Sequence, residues 1–554
     1  MSAFADDGLG LVIGERVTLA RHAHGLTQKQ LATKVGVSIW EVDRIEAGDV
    51  DPAPHLQAIA EATGHDADWF RAPVSAETPA VAAAAALEST ESIAVAGRLL
   101  VLGGITLLVT IRFFTEIVPI LPRAANFVDV AIFLGLVSAA MVSPQLQNRP
   151  RRNYLFLGVP ALAFLGLCIV SAVVNSTRVQ PAPALVFMYG FLAPVGIYAA
   201  TYCLWPAGNA RSLSRLLVVL GIVQLVVVAL IDLPLFIASG NPDVVSGTFG
   251  TNPYQLVYFL LIFTALLAGI FAVEPKRAVA RIAPVLIVAS FATILLAQYR
   301  ALIATTAVMI VVVGILLGRR ARGAAIGAVA VIAFVTTFSY VASNFPFLKL
   351  GSTAATLTND PRFYVTERLK VASTIPRLYE DKPLAVVLGT GPGTFSSRAW
   401  QTFAKAGSTS RSNVAGGYVS TLTGGTANET DVSRTYTEPQ LQTGTVVQGS
   451  RAVSSPHSSY LALLAEVGIA GFVLVVGLYV SALMRAGRMA LGALRRPERG
   501  DPLPALLLAT TVAFLTLLQL GLLENWLEVT RVTFIAWMML AVVTKELDSR
   551  PKQS

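Results

Sequence analysis

The feature that most constrains this chain is a series of about twelve apolar runs, each roughly 20 residues long, between residues 96 and 546. A helix rises about 1.5 Å per residue, so about 20 residues cross the ~30 Å hydrocarbon layer of a membrane. Only 14% of the residues are charged, whereas soluble domains carry about 25%. The sequence therefore predicts an all-α fold: a polytopic membrane domain over 96–546 that follows a small N-terminal domain.

The distribution of basic residues orients this domain. The predicted spans are 96–119, 126–144, 153–174, 182–205, 213–238, 253–273, 279–298, 299–318, 323–345, 458–484, 502–523 and 528–546. With the N-terminus inside, the inner loops hold groups of lysines and arginines, whereas the short outer loops hold only Arg123, Arg178 and Arg300, which is the asymmetry expected of cytoplasmic loops. No apolar run precedes residue 96, so we expect no signal peptide and a cytoplasmic N-terminus. The long loop 346–457 is then expected outside, in a protein of the bacterial inner membrane.

Residues 8–70 have the pattern of a small helical domain, and residues 71–95 are rich in Ala, Pro, Ser and Thr, as linkers often are. Thr27 and Ser38 are suited to cap two short helices that are joined by a turn at Gly36. The order Leu-Thr-Gln, Leu-Ala, Gly-Val-Ser and Glu-x-Gly between residues 26 and 48 resembles the Cro/C1-type helix-turn-helix family. That resemblance implies DNA as a partner.

If the second helix of this module enters a major groove, the candidate DNA-contacting residues are Gln28, Ser38, Trp40, Asp43 and Arg44. Phosphate contacts dominate affinity for DNA, and the second helix carries only one basic residue among three acidic ones. The same module therefore also suits a protein-interaction role. The net charge of +9 does not decide between them, because most basic residues lie in the loops of the membrane domain.

Two cysteines, Cys168 and Cys203, lie inside apolar runs. We predict that both are buried as small apolar side chains. They suggest neither a disulfide framework nor a metal site, and no cofactor is predicted.

Three expected outer segments carry a second resemblance. They are Ser246–Pro253, the stretch from Arg368 to the Gly389-Thr390-Gly391-Pro392-Gly393 turn, and His457-Ser458-Ser459-Tyr460-Leu461 followed by Glu466-Val467-Gly468-Ile469-Ala470-Gly471. With the turn at Arg300, this order resembles the O-antigen ligase and polymerase family of membrane glycosyltransferases. The resemblance implies transfer of a glycan from an undecaprenyl-diphosphate carrier to a glycan, lipid or polymer acceptor, without a metal.

The resemblance also implies a site. Arg300 and Arg368 would bind the diphosphate, because guanidinium groups pair bidentately with phosphate oxygens. His457, the only histidine outside the N-terminal domain, would accept the proton of the acceptor hydroxyl. Gly389, Gly391 and Gly393 would line the substrate, and Glu466 is predicted to be structural.

Other interpretations stay open at this stage. His457 would also suit a helix start, Arg300 an interfacial anchor, Arg368 a solvated surface and the glycines a plain turn. Asp129 and Asp232 lie within predicted spans, where they mark an ion path or pair with other spans. Two alternative functions are a membrane-anchored transcriptional regulator that uses the helix-turn-helix, and a transporter.

Overall fold

The computed structural model describes residues 9–71, 79–143, 151–239, 244–250, 252–273, 278–297, 300–317, 372–395, 397–399, 431–436, 458–495 and 500–550. Every regular element in these ranges is a helix. The chain divides into two compact units, Met1–Ala96 and Gly97–Ser554. The predicted all-α class is therefore confirmed.

The first unit contains five helices around one small core. They are α1 Leu9–Ala23, α2 Gln28–Val35, α3 Ile39–Glu46, α4 Leu56–Thr63 and α5 Ala67–Arg71. Leu31 of α2 and Val42 and Ile45 of α3 are buried in that core. Gly36 ends α2 at φ 79°, a left-handed conformation that glycine adopts without steric cost. The turn between the two helices follows from that residue.

Helix α6 runs over Pro79–Arg112, so the segment predicted as a linker is helical from Pro79 onward. The run of alanines from residue 82 to 86 explains this difference, because alanine has the highest intrinsic helix propensity. A composition typical of linkers thus coexists here with a regular backbone.

The second unit is a bundle of long apolar helices. Its elements after α6 are α7 Val128–Val142, α8 Arg151–Val174, α9 Pro181–Leu204, α10 Ala210–Val227, α11 Leu233–Ser239, α12 Pro253–Val273, α13 Ala278–Leu296 and α14 Arg300–Leu317. Then come the short helices α15 Thr374–Asp381, α16 Ala385–Leu388 and α17 Asp431–Tyr436, followed by α18 Ser459–Arg495, α19 Leu503–Leu523 and α20 Thr530–Asp548.

Nine helices in the described part of the chain are long and apolar enough to cross a membrane. About twelve spans were predicted. The span at 323–345 lies outside the described residues, and the apolar part of α14, Thr305–Leu317, is shorter than the others. The predicted span 528–546 is present as α20, whose 19 residues include four charged side chains, and it is not among the nine.

The core of the bundle is built around α12 and α19. Helix α12 packs on α13 and α19, α18 packs on α19, and α20 packs on α9. Residues 255–270 of α12 are all buried, as expected for a helix that is apolar on every side. Cys168 and Cys203 are buried and unpaired, as predicted.

Candidate functional site

The described parts of the sequence segments that carry the resemblance lie at one end of the bundle. Main-chain atoms of Ser459 at the start of α18 contact Glu524 after α19, and the rings of Tyr254 at the start of α12 and Trp526 lie 4.9 Å apart. We call this the convergent end, defined by the first residues of α9, α12 and α18. Because α12, α13 and α14 are joined by short connections, they alternate in direction, and α14 also begins there.

The glycine-rich turn Gly389–Gly393 packs against a break in α18. At Gly468 the backbone leaves the helix (φ 68°, ψ −172°). The carbonyl oxygens of Ala465 and Glu466, just before the break, accept the N–H groups of Thr390 and Gly391 at 2.9 and 3.0 Å. The turn thus supplies hydrogen-bond donors to carbonyl groups beside an interruption in the helix.

The Glu466 carboxylate also binds the C-terminal end of the same turn. Its two oxygens accept the main-chain N–H groups of Gly393 at 2.5 Å and Phe395 at 2.8 Å. The residue is fully buried. Glu466 therefore has a structural role, as the sequence suggested.

The three glycines predicted to bind substrate are buried in this packing. A Cβ on Gly389 would lie 2.2 Å from the carbonyl carbon of Glu466, and one on Gly391 would lie 2.3 Å from Val179. A Cβ on Gly393 would lie 2.8 Å from Pro183. The close neighbours and the positive φ angles of 69°, 109° and 75° are enough to require glycine at these positions, and their role toward a substrate stays a prediction.

Of the three residues predicted to be catalytic, the structure describes only the backbone of Arg300. Arg300 is the first residue of α14, and its side chain is outside the described residues. Arg368 and His457 lie outside the described residues altogether. Ser458, the neighbour of His457, is buried at the start of α18, and its hydroxyl donates to the carbonyl of Gly521.

Sequence analysis missed a group of three arginines at the convergent end, Arg112, Arg398 and Arg531. They come from the end of α6, the segment after the glycine-rich turn and the first turn of α20. Arg112 and Arg531 are each only 6% exposed. No spacing in the sequence links positions so far apart, and the signal that was present is an arginine inside an apolar helix.

These arginines surround Tyr254 and share a set of acidic neighbours. Arg398 donates a hydrogen bond to the Tyr254 hydroxyl and lies near the carboxylates of Glu528 and Asp129. Burial raises the pKa of Glu528 to about 7, although Arg398 and two main-chain N–H groups oppose the shift. Glu528 is therefore partly protonated near neutral pH.

The two aspartates predicted within spans have local partners. Asp232 accepts the main-chain N–H groups of Ser246 and Gly247 at 2.8 and 2.6 Å, so it fixes the loop that precedes α12. Asp129 accepts a hydrogen bond from the Thr530 hydroxyl. Both therefore pair with other segments, which was one of the two open interpretations.

In the first unit, the predicted DNA-contacting residues fall into two groups. The Ser38 hydroxyl accepts the N–H of Glu41 and caps α3. Gln28 donates to the carboxylates of Asp43 and Glu46 at 3.2 and 2.9 Å. These two side chains therefore support the domain itself.

Trp40 and Asp43 are exposed on α3, and Trp40 is 67% exposed. The Arg44 guanidinium lies 4.8 Å from the centre of the Trp40 ring, at the distance of a cation–π contact. These three residues form the accessible face of the recognition helix.

Comparison with known proteins identifies the first unit. A family model described as helix-turn-helix matches residues 19–70. No curated protein matches the chain. The protein thus combines an N-terminal helix-turn-helix domain of the DNA-binding kind with a polytopic region of apolar helices that could span a membrane.

Proposed function

We propose that the second unit is a metal-independent glycosyltransferase of the inner membrane, related to O-antigen ligases and polymerases. The observation that carries the proposal is that the described parts of the segments that carry the resemblance lie at one end of the bundle: Tyr254, which follows the first segment, lies 4.9 Å from Trp526, and the N–H of Gly393 donates to Glu466 of α18. A transporter would place its functional charges near the middle of the membrane, whereas the three arginines lie at this end.

In the proposed reaction, an acceptor hydroxyl oxygen attacks the anomeric carbon of a glycan linked to undecaprenyl diphosphate. The bond from that carbon to the diphosphate oxygen breaks, and the carrier leaves with the electron pair as a diphosphate anion. His457 takes the hydroxyl proton, while Arg300 and Arg368 stabilise the charge on the leaving group. The convergent end is the outer end in this proposal.

The test is surface-polysaccharide analysis in a deletion strain complemented with wild type, His457→Ala or Arg300→Ala. We expect the deletion to lose or shorten a glycan and only the wild type to restore it. His55→Ala and Arg178→Ala are matched controls, because His55 lies in the first unit and Arg178 makes an exposed ion pair with Asp431. Full restoration by both site variants, at normal membrane levels, would reject the site.

A membrane-anchored regulator is the second candidate, and the helix-turn-helix match favours it. The three basic side chains offered by α2 and α3 are Lys29, Lys34 and Arg44. Three phosphate contacts give a slope of about −2.7 for log K against log salt. Binding of the full-length protein to duplex DNA with that slope, and its loss in Arg44→Ala, would support this function. A glycan defect in the deletion strain with no DNA binding would reject it.

A further inference from the structure

Residues 383–389, which include the short helix α16, form an apolar segment that the proposed reaction does not use. Their sequence is Pro-Leu-Ala-Val-Val-Leu-Gly, without a charged or hydrogen-bonding side chain. Leu384 is 70% exposed and Val387 is 57% exposed. Apolar side chains grouped on a surface in this way mark a site of contact with a partner or a membrane. We call residues 383–389 the apolar wedge.

The apolar wedge packs on α8 and α18 inside the parts of these helices that are apolar enough to cross a membrane. The Ser171 hydroxyl, three residues before the end of α8, donates to the carbonyl of Leu388 at 2.6 Å. A Cβ on Gly468, nine residues after the start of α18, would lie 2.5 Å from the carbonyl carbon of Val387. At 1.5 Å per residue, these contacts lie about 5 Å and about 14 Å from the respective helix ends.

Hydrogen bonds of the main chain make the apolar wedge suitable for an apolar environment. The N–H groups of residues 385–389 all donate to carbonyl groups of residues 382–385. The carbonyl groups of Leu388 and Gly389 accept from the side chains of Ser171 and Asn175. A main chain in hydrocarbon must satisfy its polar groups within the protein, and these bonds lower the cost of placing the wedge there.

Charged residues mark the water side of the apolar wedge. Lys382, which directly precedes the wedge, lies 2.8 Å from the Asp431 carboxylate, and Arg178, which follows the end of α8, lies 2.9 Å from it. Charged groups of this kind belong at the edge of the hydrocarbon layer. After the wedge, the chain returns to the convergent end, where the N–H of Ala399 donates to Glu528. The wedge therefore enters and leaves on one side.

We propose that the apolar wedge is a re-entrant segment, which enters one membrane leaflet from the convergent end and places Leu384 and Val387 against the acyl chains of bilayer lipids. The bilayer is the favoured partner because the wedge continues the apolar surface that α8 and α18 expose. Next to the contacts at Ser171 and Gly468, the exposed side chains of these helices are Ile169, Val170, Val173, Val174, Ile469 and Val473. The proposal rests on insertion of the bundle in a membrane, and it does not depend on glycan transfer.

The test locates single labelled positions relative to the lipid. In the full-length protein with Cys168→Ala and Cys203→Ala, which remove both native thiols, Leu384→Cys or Val387→Cys is labelled with bimane. Fluorescence in nanodiscs is quenched either by lipids that carry a nitroxide on the acyl chain or by iodide in water. We expect strong quenching by the nitroxide lipid. We expect iodide to quench about 10-fold less than at Glu380→Cys, because hydrocarbon excludes an anion.

Two positions calibrate the measurement: Val473→Cys on the exposed apolar side of α18, and Glu380→Cys on the exposed side of α15. Quenching by iodide at 384 and 387 as strong as at 380 would place the wedge in water and overturn the proposal. Protection from both quenchers would indicate cover by protein, such as a second copy of the chain, and would overturn it too. Lipid contact in a protein that transfers no glycan would retain the wedge and reject the proposed function.

Discussion

Replacement of Glu466 by Gln should release the glycine-rich turn from α18. Glu466 accepts one N–H group at each carboxylate oxygen, from Gly393 at 2.5 Å and from Phe395 at 2.8 Å. A glutamine has almost the same shape but only one acceptor oxygen. Its NH₂ group would face a main-chain N–H, so one buried donor would lose its acceptor.

The magnitude follows from the cost of that donor. A buried N–H group without an acceptor costs about 1–3 kcal/mol. The free energy for local opening of the glycine-rich turn should fall by this amount, so the open state should be about 5-fold to about 150-fold more populated. Hydrogen–deuterium exchange of the full-length protein in detergent measures it, in peptides that contain Gly393 and Phe395. Glu380→Gln is the control, because Glu380 is exposed on α15. Unchanged protection of the two amides in Glu466→Gln would refute the reasoning.

Three further predictions concern the turn, the helix-turn-helix domain and pH. Gly389→Ala should abolish recovery of folded protein in size-exclusion chromatography, because φ is 69° and the new Cβ would lie 2.2 Å from a Glu466 backbone atom. Arg21→Ala should destabilise the first unit by about 3–5 kcal/mol in proteolysis assays, because it leaves the buried Glu46 carboxylate without its guanidinium partner, with the Gln28 amide as a remaining donor. The pKa of Glu528 is raised from 4.5 to about 7 in the folded state, so its protonated form stabilises the fold at low pH. This stability should be lost as the pH rises from 4.5 to about 7. Glu528→Gln, which cannot ionise, should flatten the melting temperature over this pH range.

Each of these predictions has a control and a contrary outcome. Gly314→Ala tests the effect of a methyl group alone, because its Cβ would meet nothing within 4 Å, and equal recovery of both variants would contradict the packing argument. Lys34→Ala removes an exposed base from α2, and equal resistance to protease in Lys34→Ala and Arg21→Ala would contradict the ion-pair argument. An unchanged pH profile in Glu528→Gln would assign the pH dependence to other groups.

Much of the fold was predictable because its signals are local. Apolar runs of about 20 residues specify the long helices, and Thr27, Ser38 and Gly36 specify the helix-turn-helix through caps and a left-handed turn. The helical segment from Pro79 was missed because Ala-rich composition suits both a linker and a helix. The span predicted at 528–546 corresponds to α20, whose charges keep it outside the nine apolar helices.

The candidate site was less predictable because it is assembled from distant segments. The glycine-rich turn was recognised from its residues. Its hydrogen bonds to Glu466 depend on a break in α18 at Gly468, and a single glycine in an apolar run does not predict such a break. Arg112 and Arg531 are 419 positions apart and meet only in the folded bundle. Burial and hydrogen bonding of their guanidinium groups cannot be read from spacing, since both depend on helix packing.

The most direct test of the central claim is glycan transfer by the purified full-length protein in proteoliposomes. The reaction contains a donor glycan labelled on its sugar and linked to undecaprenyl diphosphate, an isolated surface glycan or lipid as acceptor, and a chelator of divalent metals. The account predicts that the label moves to the acceptor with wild type and stays on the donor with His457→Ala. A donor that remains intact with wild type, in protein that elutes as one folded species in size-exclusion chromatography, would contradict it.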